Sequence, residues 1–256
     1  MTDYSANLGF LWADLPLPDA IRAAKRAGFQ AVECHWPYAV DPTDVCAALE
    51  ETALPMLGLN TSPGDLTAGE FGLSALPGRG AEALAEIDRS IAYATATGTR
   101  NIHVMAGKAE GAAVEATFVE VLKKGCERAQ AYGLTLLIEP INNHDVPGYF
   151  LTTPDQAAMI MDQVGAPNLA MMFDCYHVAR MGLDVIAELD HHLSRIGHIQ
   201  FAGVPDRGRP DRGALDYAAV FAHLATRGYN APLGAEYRPD GATEGSLSWM
   251  APLGTD

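Results

Sequence analysis

Short apolar runs rich in strand formers alternate with longer amphipathic segments along the whole chain. The strand-like runs are ANLGFLW (6–12), AVECHW (31–36), PMLGLN (55–60), NIHVMAG (101–107), TLLIEPI (135–141), LAMMFD (169–174), HIQFAG (198–203) and PLGAEY (232–237). Segments between them, such as LPDAIRAAKRAG, EALAEIDRSIAYATATG, FVEVLKKGCERAQAYG, TPDQAAMIMDQVG and DYAAVFAHLATRG, repeat their apolar positions at helical spacing. Several end in glycine just before the next strand, where a helix C-cap belongs. Thr153 followed by Pro154 is a helix start, an N-cap hydroxyl and then a proline at the first helical position. Strands alternating with helices build βαβ units around a parallel sheet. Eight such repeats in 256 residues predict an α/β fold, a (β/α)8 TIM barrel. A doubly wound open sheet is the main alternative, but it carries a glycine-rich phosphate turn after its first strand, and LWADLPLPDA has no glycine. No linker or shift in composition marks a second domain, so residues 1–256 are expected to form one. The stretch from Glu244 onward is short for a complete eighth helix.

Composition narrows the class. Apolar residues make up 48% and charged residues 19%, as in a globular protein. No segment approaches eighteen consecutive apolar residues, and no basic stretch leads into an apolar one at the start, so neither a membrane span nor a secretory signal is expected. A formal charge of −15 repels a phosphate backbone, which argues against nucleic acid as a partner. Cys34, Cys46, Cys126 and Cys175 are scattered, without CxxC spacing. Free thiols and a reducing, cytoplasmic compartment are the expectation. The pattern leaves a homo-oligomer open.

Candidate chemistry appears where charge interrupts the strands. TLLIEPI ends its apolar run at Glu139, LAMMFD ends in Asp174, HIQFAG carries Gln200 and LGAEY carries Glu236. A carboxylate at the end of a buried strand is costly to desolvate unless it meets a cation. On four consecutive strands of a barrel these groups converge on one axis, and three carboxylates there need a counter-charge. Their all-oxygen donor set suits a hard divalent cation, Mg²⁺ or Mn²⁺. The two longest loops, 61–80 and 203–213, follow strand ends on the same face, where loops of this length are usually functional.

These motifs carry a resemblance. NTSPGD with AGEFGLSALPGR, then HVMAG, LIEPIN, FDCYH, HIQFAGVPDR and GAEYRP together resemble the hydroxypyruvate isomerase family, within a TIM-barrel superfamily that also holds xylose isomerase, ketose 3-epimerases and endonuclease IV. The resemblance implies Glu139, Asp174, Gln200 and Glu236 as metal ligands, with Glu139 and Glu236 moving protons. It places His177 and Arg207 against the substrate. Epimerases of the superfamily usually have a histidine where this chain has Gln200, which favours the isomerase branch.

The implied reaction converts hydroxypyruvate to 2-hydroxy-3-oxopropanoate through an enediolate. A longer 2-oxo acid or ketose is an alternative substrate. Endonuclease-type phosphodiester cleavage is less expected, because it needs more histidine ligands and a basic surface. His103 and Asn60 are further candidate substrate contacts, and Asn142 a possible hydrogen-bond donor. Asp145 is placed to touch either a substrate hydroxyl or His177. His35 lies in a strand pattern, and Glu33 beside it could orient another group. Trp12, Trp36 and Phe71 are candidate pocket walls. Arg207 on its glycine-rich loop is the expected clamp for a substrate carboxylate, with Arg209 and Arg212 nearby and Lys108 and Arg238 next in line. His191 and His192 fall in a helical stretch and are expected at the surface.

Overall fold

A computed structural model describes residues 2–250. Each of the eight strand-like runs contributes a strand: β1 Tyr4–Asn7, β2 Ala31–Glu33, β3 Gly58–Asn60, β4 Asn101–His103, β5 Thr135–Ile138, β6 Leu169–Asp174, β7 Ile196–Phe201 and β8 Leu233–Ala235. All named pairings are parallel, in the order β2-β1-β8-β7-β6-β5-β4-β3. The seam between β2 and β3 is closed by a parallel bridge from Val32 to Met56, with Val32 N–H donating to Pro55 O and Leu57 N–H to Val32 O. This is the predicted barrel.

The first strand starts and ends earlier than the apolar run 6–12 predicts. Asn7 terminates it: its side-chain oxygen accepts from Gly9 N–H, and its carbonyl accepts from Phe10 and Leu11, which turns LGFLW out of the sheet.

The outer layer comprises α1 Leu17–Arg26, α2 Pro42–Thr52, α3 Gly80–Thr97, α4 Val114–Gln130, α5 Pro154–Val164, α6 Cys175–Arg180, α7 Val185–His192 and α8 Tyr217–Thr226. Thr153 caps α5, its hydroxyl accepting from Gln156 N–H. Asp41 and Pro42 start α2 in the same way. The connection from β6 to β7 holds both α6 and α7. Among the described residues after β8, two short 3-10 turns, Thr243–Ser246 and Ser248–Met250, stand in place of a helix. Trp249 fills the space, its ring centroid 5.0 Å from that of Tyr4 and 5.3 Å from that of Phe201. Among the described residues no helix is long and apolar enough to cross a membrane. All four cysteines are free thiols.

Two loops crown the strand ends. The loop 61–80 is pinned to the exit of β4 by a bridge between Gly72 and Ala106. Gly72 has φ +110°, and a Cβ there would come within 2.7 Å of the backbone of Met105 and Gly107. Only glycine permits this approach. In the loop 203–213, Arg207 is a non-glycine residue in the left-handed region at φ +56°, and its carbonyl accepts from Arg238 N–H at 2.7 Å.

Candidate active site

The strand ends deliver the converging groups. Asp174 is the last residue of β6 and pairs in register with Gln200 of β7, which in turn pairs with Gly234 of β8. Glu139 and Glu236 each stand one residue past their strands. All four are buried, none exposing more than 5% of its surface.

The cation their burial demands is present in the chain itself. Arg207 Nη2 donates to Asp174 Oδ2 at 3.3 Å and makes a tighter contact with Glu236 Oε2. The guanidinium carbon lies 5.0 Å from the Phe10 ring centroid and 5.1 Å from that of Tyr176. Such cation–aromatic contacts hold the planar group in place. The guanidinium expected to clamp a substrate carboxylate is thus folded inward among the carboxylates of the chain itself. Arg209 is engaged elsewhere, paired with Asp211. Lys108 is exposed and does not line the pocket.

The two glutamates differ electrically. Burial, reinforced by the charges of Glu236 and Asp174, raises the proton affinity of Glu139 well above the usual carboxylate range. Burial also raises that of Asp174, against the lowering effect of Arg207. Burial works on Glu236 in the same direction, but Arg207 and the hydrogen bond from His35 outweigh it and hold this carboxyl low. His103 lies with Nδ1 3.5 Å from Glu139 Oε2, and burial pulls its pKa down to about 4, so it is neutral at physiological pH. His177 Nδ1 accepts from Asn142 N–H at 3.3 Å, which turns Nε2 toward Glu139 Oε1 (3.7 Å) and Asp174 Oδ2 (3.6 Å).

These groups open on a small cavity of about 60 Å³. His35, Asn60, His103, Glu139, His177, Arg207 and Glu236 supply its polar lining, and Phe10, Trp36, Phe71, Met105, Ile141 and Val146 supply apolar walls. Asp174 and Gln200 lie outside that lining.

Three expected assignments are corrected. Asp145 does not reach the cavity or His177; it is exposed, and its carboxylate accepts from Tyr176 Oη at 2.8 Å. Trp12 is no pocket wall, because its indole N–H donates to Glu244 and its ring packs on Phe29. His192 is not at the surface but 2% exposed, whereas its neighbour His191 is exposed.

The structure adds Asn7 and His198 to the site and gives His35 and Glu33, singled out in the sequence, their partners. Asn7 Nδ2 donates to Glu236 Oε1 at 2.9 Å, and His35 Nε2 lies 3.0 Å from the same atom. Glu33 joins His198 at 2.5 Å and accepts from Gln200 Nε2 at 3.3 Å, which orients the amide. His198 was accessible from the pattern, since it stands two residues before Gln200 on the same strand face. Asn7 required knowing that β1 lies beside β8.

The donor set fits a divalent cation. Ligand atoms of Glu139, Asp174 and His177 lie within 4.8 Å of one another. Glu139 Oε1 and Gln200 Oε1 are buried without hydrogen-bond partners. With Gln200 Nε2 bonded to Glu33, its oxygen remains as the free donor.

A buried, anionic cluster at the C-terminal end of a parallel barrel defines a TIM-barrel enzyme site. The model of the xylose isomerase-like TIM barrel matches residues 21–253. The chain is 42% identical to the 2-oxo-tetronate isomerase of Cupriavidus necator, covering 98% of each protein. It is 34% identical to the hydroxypyruvate isomerase of Escherichia coli, over 98% of this chain and 99% of that protein. A crystal structure titled as an AP endonuclease, family 2, from Brucella melitensis superposes with a TM-score of 0.95 at 35% identity, covering all of both chains. The chain belongs to the hydroxypyruvate isomerase family of xylose isomerase-like TIM barrels, and it is an isomerase.

Proposed function

We propose that this protein interconverts hydroxypyruvate and 2-hydroxy-3-oxopropanoate, with Glu139 and Glu236 moving the proton between neighbouring carbons. The observation that carries this reading is that Glu139 and Glu236, both buried at strand ends, face one cavity, where burial raises the proton affinity of the first and Arg207 lowers that of the second. Two carboxyls pushed apart in this way are suited to acid and base roles. The cavity is far smaller than the roughly 300–1,000 Å³ of pockets for drug-sized ligands, so a substrate of few atoms fits. The same smallness, with the charge of −15, speaks against phosphodiester cleavage.

Arg207 grips the substrate carboxylate with its planar fork. Glu236 takes the proton from C3. The electron pair of that C–H bond becomes the C2–C3 double bond of an enediolate, and the carbonyl pair moves onto the C2 oxygen. Glu139 gives a proton to C2 while the oxygen-bound proton passes from the C3 oxygen to the C2 oxygen. A divalent cation, Mg²⁺ or Mn²⁺, held by Glu139, Asp174, Gln200 and Glu236, would supply Lewis-acid stabilisation of the negative charge that develops on oxygen. His103, His177 and Asn60 contact substrate oxygens, and the aromatic walls exclude water.

A second reading, a four-carbon substrate, is favoured by the similarity to the 2-oxo-tetronate isomerase of Cupriavidus necator. Both acids share a 2-oxo-3-hydroxy carboxylate and differ by one hydroxymethyl group, so the same residues serve either. Measuring kcat/KM for the two acids side by side decides between them. Glu139→Gln and Glu236→Gln should each lower kcat by roughly 10²–10⁴-fold, and solvent deuterium should enter the product of the unmodified enzyme. Near-normal rates in both variants would exclude the glutamate mechanism.

A further inference from the structure

Outside the active site, α5 and α7 bring four ligand-type side chains together. Asp155 stands in the first turn of α5, and Glu188, His191 and His192 lie on α7. His192 Nε2 is 3.1 Å from Asp155 Oδ1 and 3.4 Å from Glu188 Oε2. His191 Nε2 is 3.9 Å from the same Asp155 oxygen. The ligand atoms of Asp155, His191 and His192 all lie within 4.8 Å of one another.

Helix dipoles account for part of this, since an acid at a helix start and imidazoles at a helix end are each favourable. They do not account for His192. It is 2% exposed, and its Nε2, although close to two carboxylate oxygens, makes an aligned hydrogen bond to neither. A buried nitrogen aimed between two oxygens is costly unless something occupies the point it faces. Tetrahedral zinc with bonds of about 2.0–2.1 Å sets its ligand atoms roughly 3.3 Å apart, and the His192 separations bracket that value.

We propose that Asp155, Glu188, His191 and His192 form a second metal site, for a first-row transition ion such as Zn²⁺, which staples α5 to α7. Imidazole donors select such ions over Mg²⁺. None of the four residues lines the catalytic cavity.

The test is equilibrium dialysis of the full chain against Zn²⁺ near neutral pH, in an excess of Mg²⁺ that saturates the oxygen-donor site. His191→Ala, a change at an exposed position, and Asp155→Asn are compared with Asp174→Asn. The expected result is a single Zn²⁺ per chain, retained by Asp174→Asn. His191→Ala and Asp155→Asn should each weaken it by more than the roughly 10–100-fold that loss of a ligand's own hydrogen-bond partner costs. Isomerase activity of His191→Ala in Mg²⁺ should be unchanged. Absence of Zn²⁺ from the unmodified protein would overturn the proposal, and so would a Zn²⁺ lost in Asp174→Asn but kept in His191→Ala.

Discussion

Arg207 does the work of a cation in a site made almost wholly of acids. Its charge lowers the proton affinity of Glu139, Asp174 and Glu236 together. Removing it as Arg207→Met lets all three rise. A base acts only when ionised, so the acidic limb of the kcat/KM profile should move to higher pH. The loss at neutral pH should be larger for hydroxypyruvate than for any neutral ketose the enzyme accepts. An unmoved limb with equal losses for both substrates would show that Arg207 only orders the loop. Glu139, Asp174, Gln200 and Glu236 were legible in the sequence because each interrupts an apolar run, and burial there is expensive without a partner. Arg207 was legible as a substrate group by resemblance, but its inward fold depends on Phe10 and Tyr176, which no local pattern brings together.

At the scale of elements, the loop 61–80 is tied down by the approach of Gly72 to the backbone beyond β4. Gly72→Ala forces a side chain into a left-handed residue facing main-chain atoms that cannot step aside. Strain of this kind costs roughly 1–3 kcal/mol. Phe71 and the pocket wall should shift with the loop, so kcat/KM should fall more steeply than the melting temperature. Steady-state kinetics alongside thermal melts would check this; unchanged kinetics would mean that Phe71 is no part of the pocket. The eight strands were legible because apolar runs recur at barrel spacing. The end of β1 was not, because LGFLW is apolar enough for a strand and only the Asn7 turn removes it from the sheet. The packing of Trp249 was not legible either, because it depends on contacts with both Tyr4 and Phe201.

For the whole molecule, the carboxylate cluster is a liability to the fold as well as a tool. Glu139 and Asp174 have folded-state pKa values above their unfolded ones, so ionising them costs stability. That cost is absent below the ordinary carboxylate range and grows as pH rises through the raised values. Metal-free protein should therefore lose stability from these groups between mildly acidic and neutral pH. Mg²⁺ or Mn²⁺ should restore it, by about 2.7 kcal/mol at a hundredfold excess over Kd. Asp174→Asn keeps the oxygen that accepts from Tyr176 N–H but removes a charge. It should melt higher than the unmodified protein without metal and gain less from the ion. A melting temperature indifferent to both ions, measured by calorimetry with and without chelator, would rule out a cation at this cluster.

Closure of the barrel joins residues made far apart in time. Tyr4 meets Trp249, and Asn7 donates to Glu236 across 229 positions of chain. On the ribosome, Glu139 and Asp174 emerge well before Arg207 and β8, so the acids of the site wait without their cation while the first strands wait without a neighbour. Contacts so distant in sequence form late, and the partly made chain presents open sheet edges in the meantime. The strand-end cluster is thus completed late, and a nascent chain arrested before β8 lacks both Glu236 and the partner that Asn7 awaits.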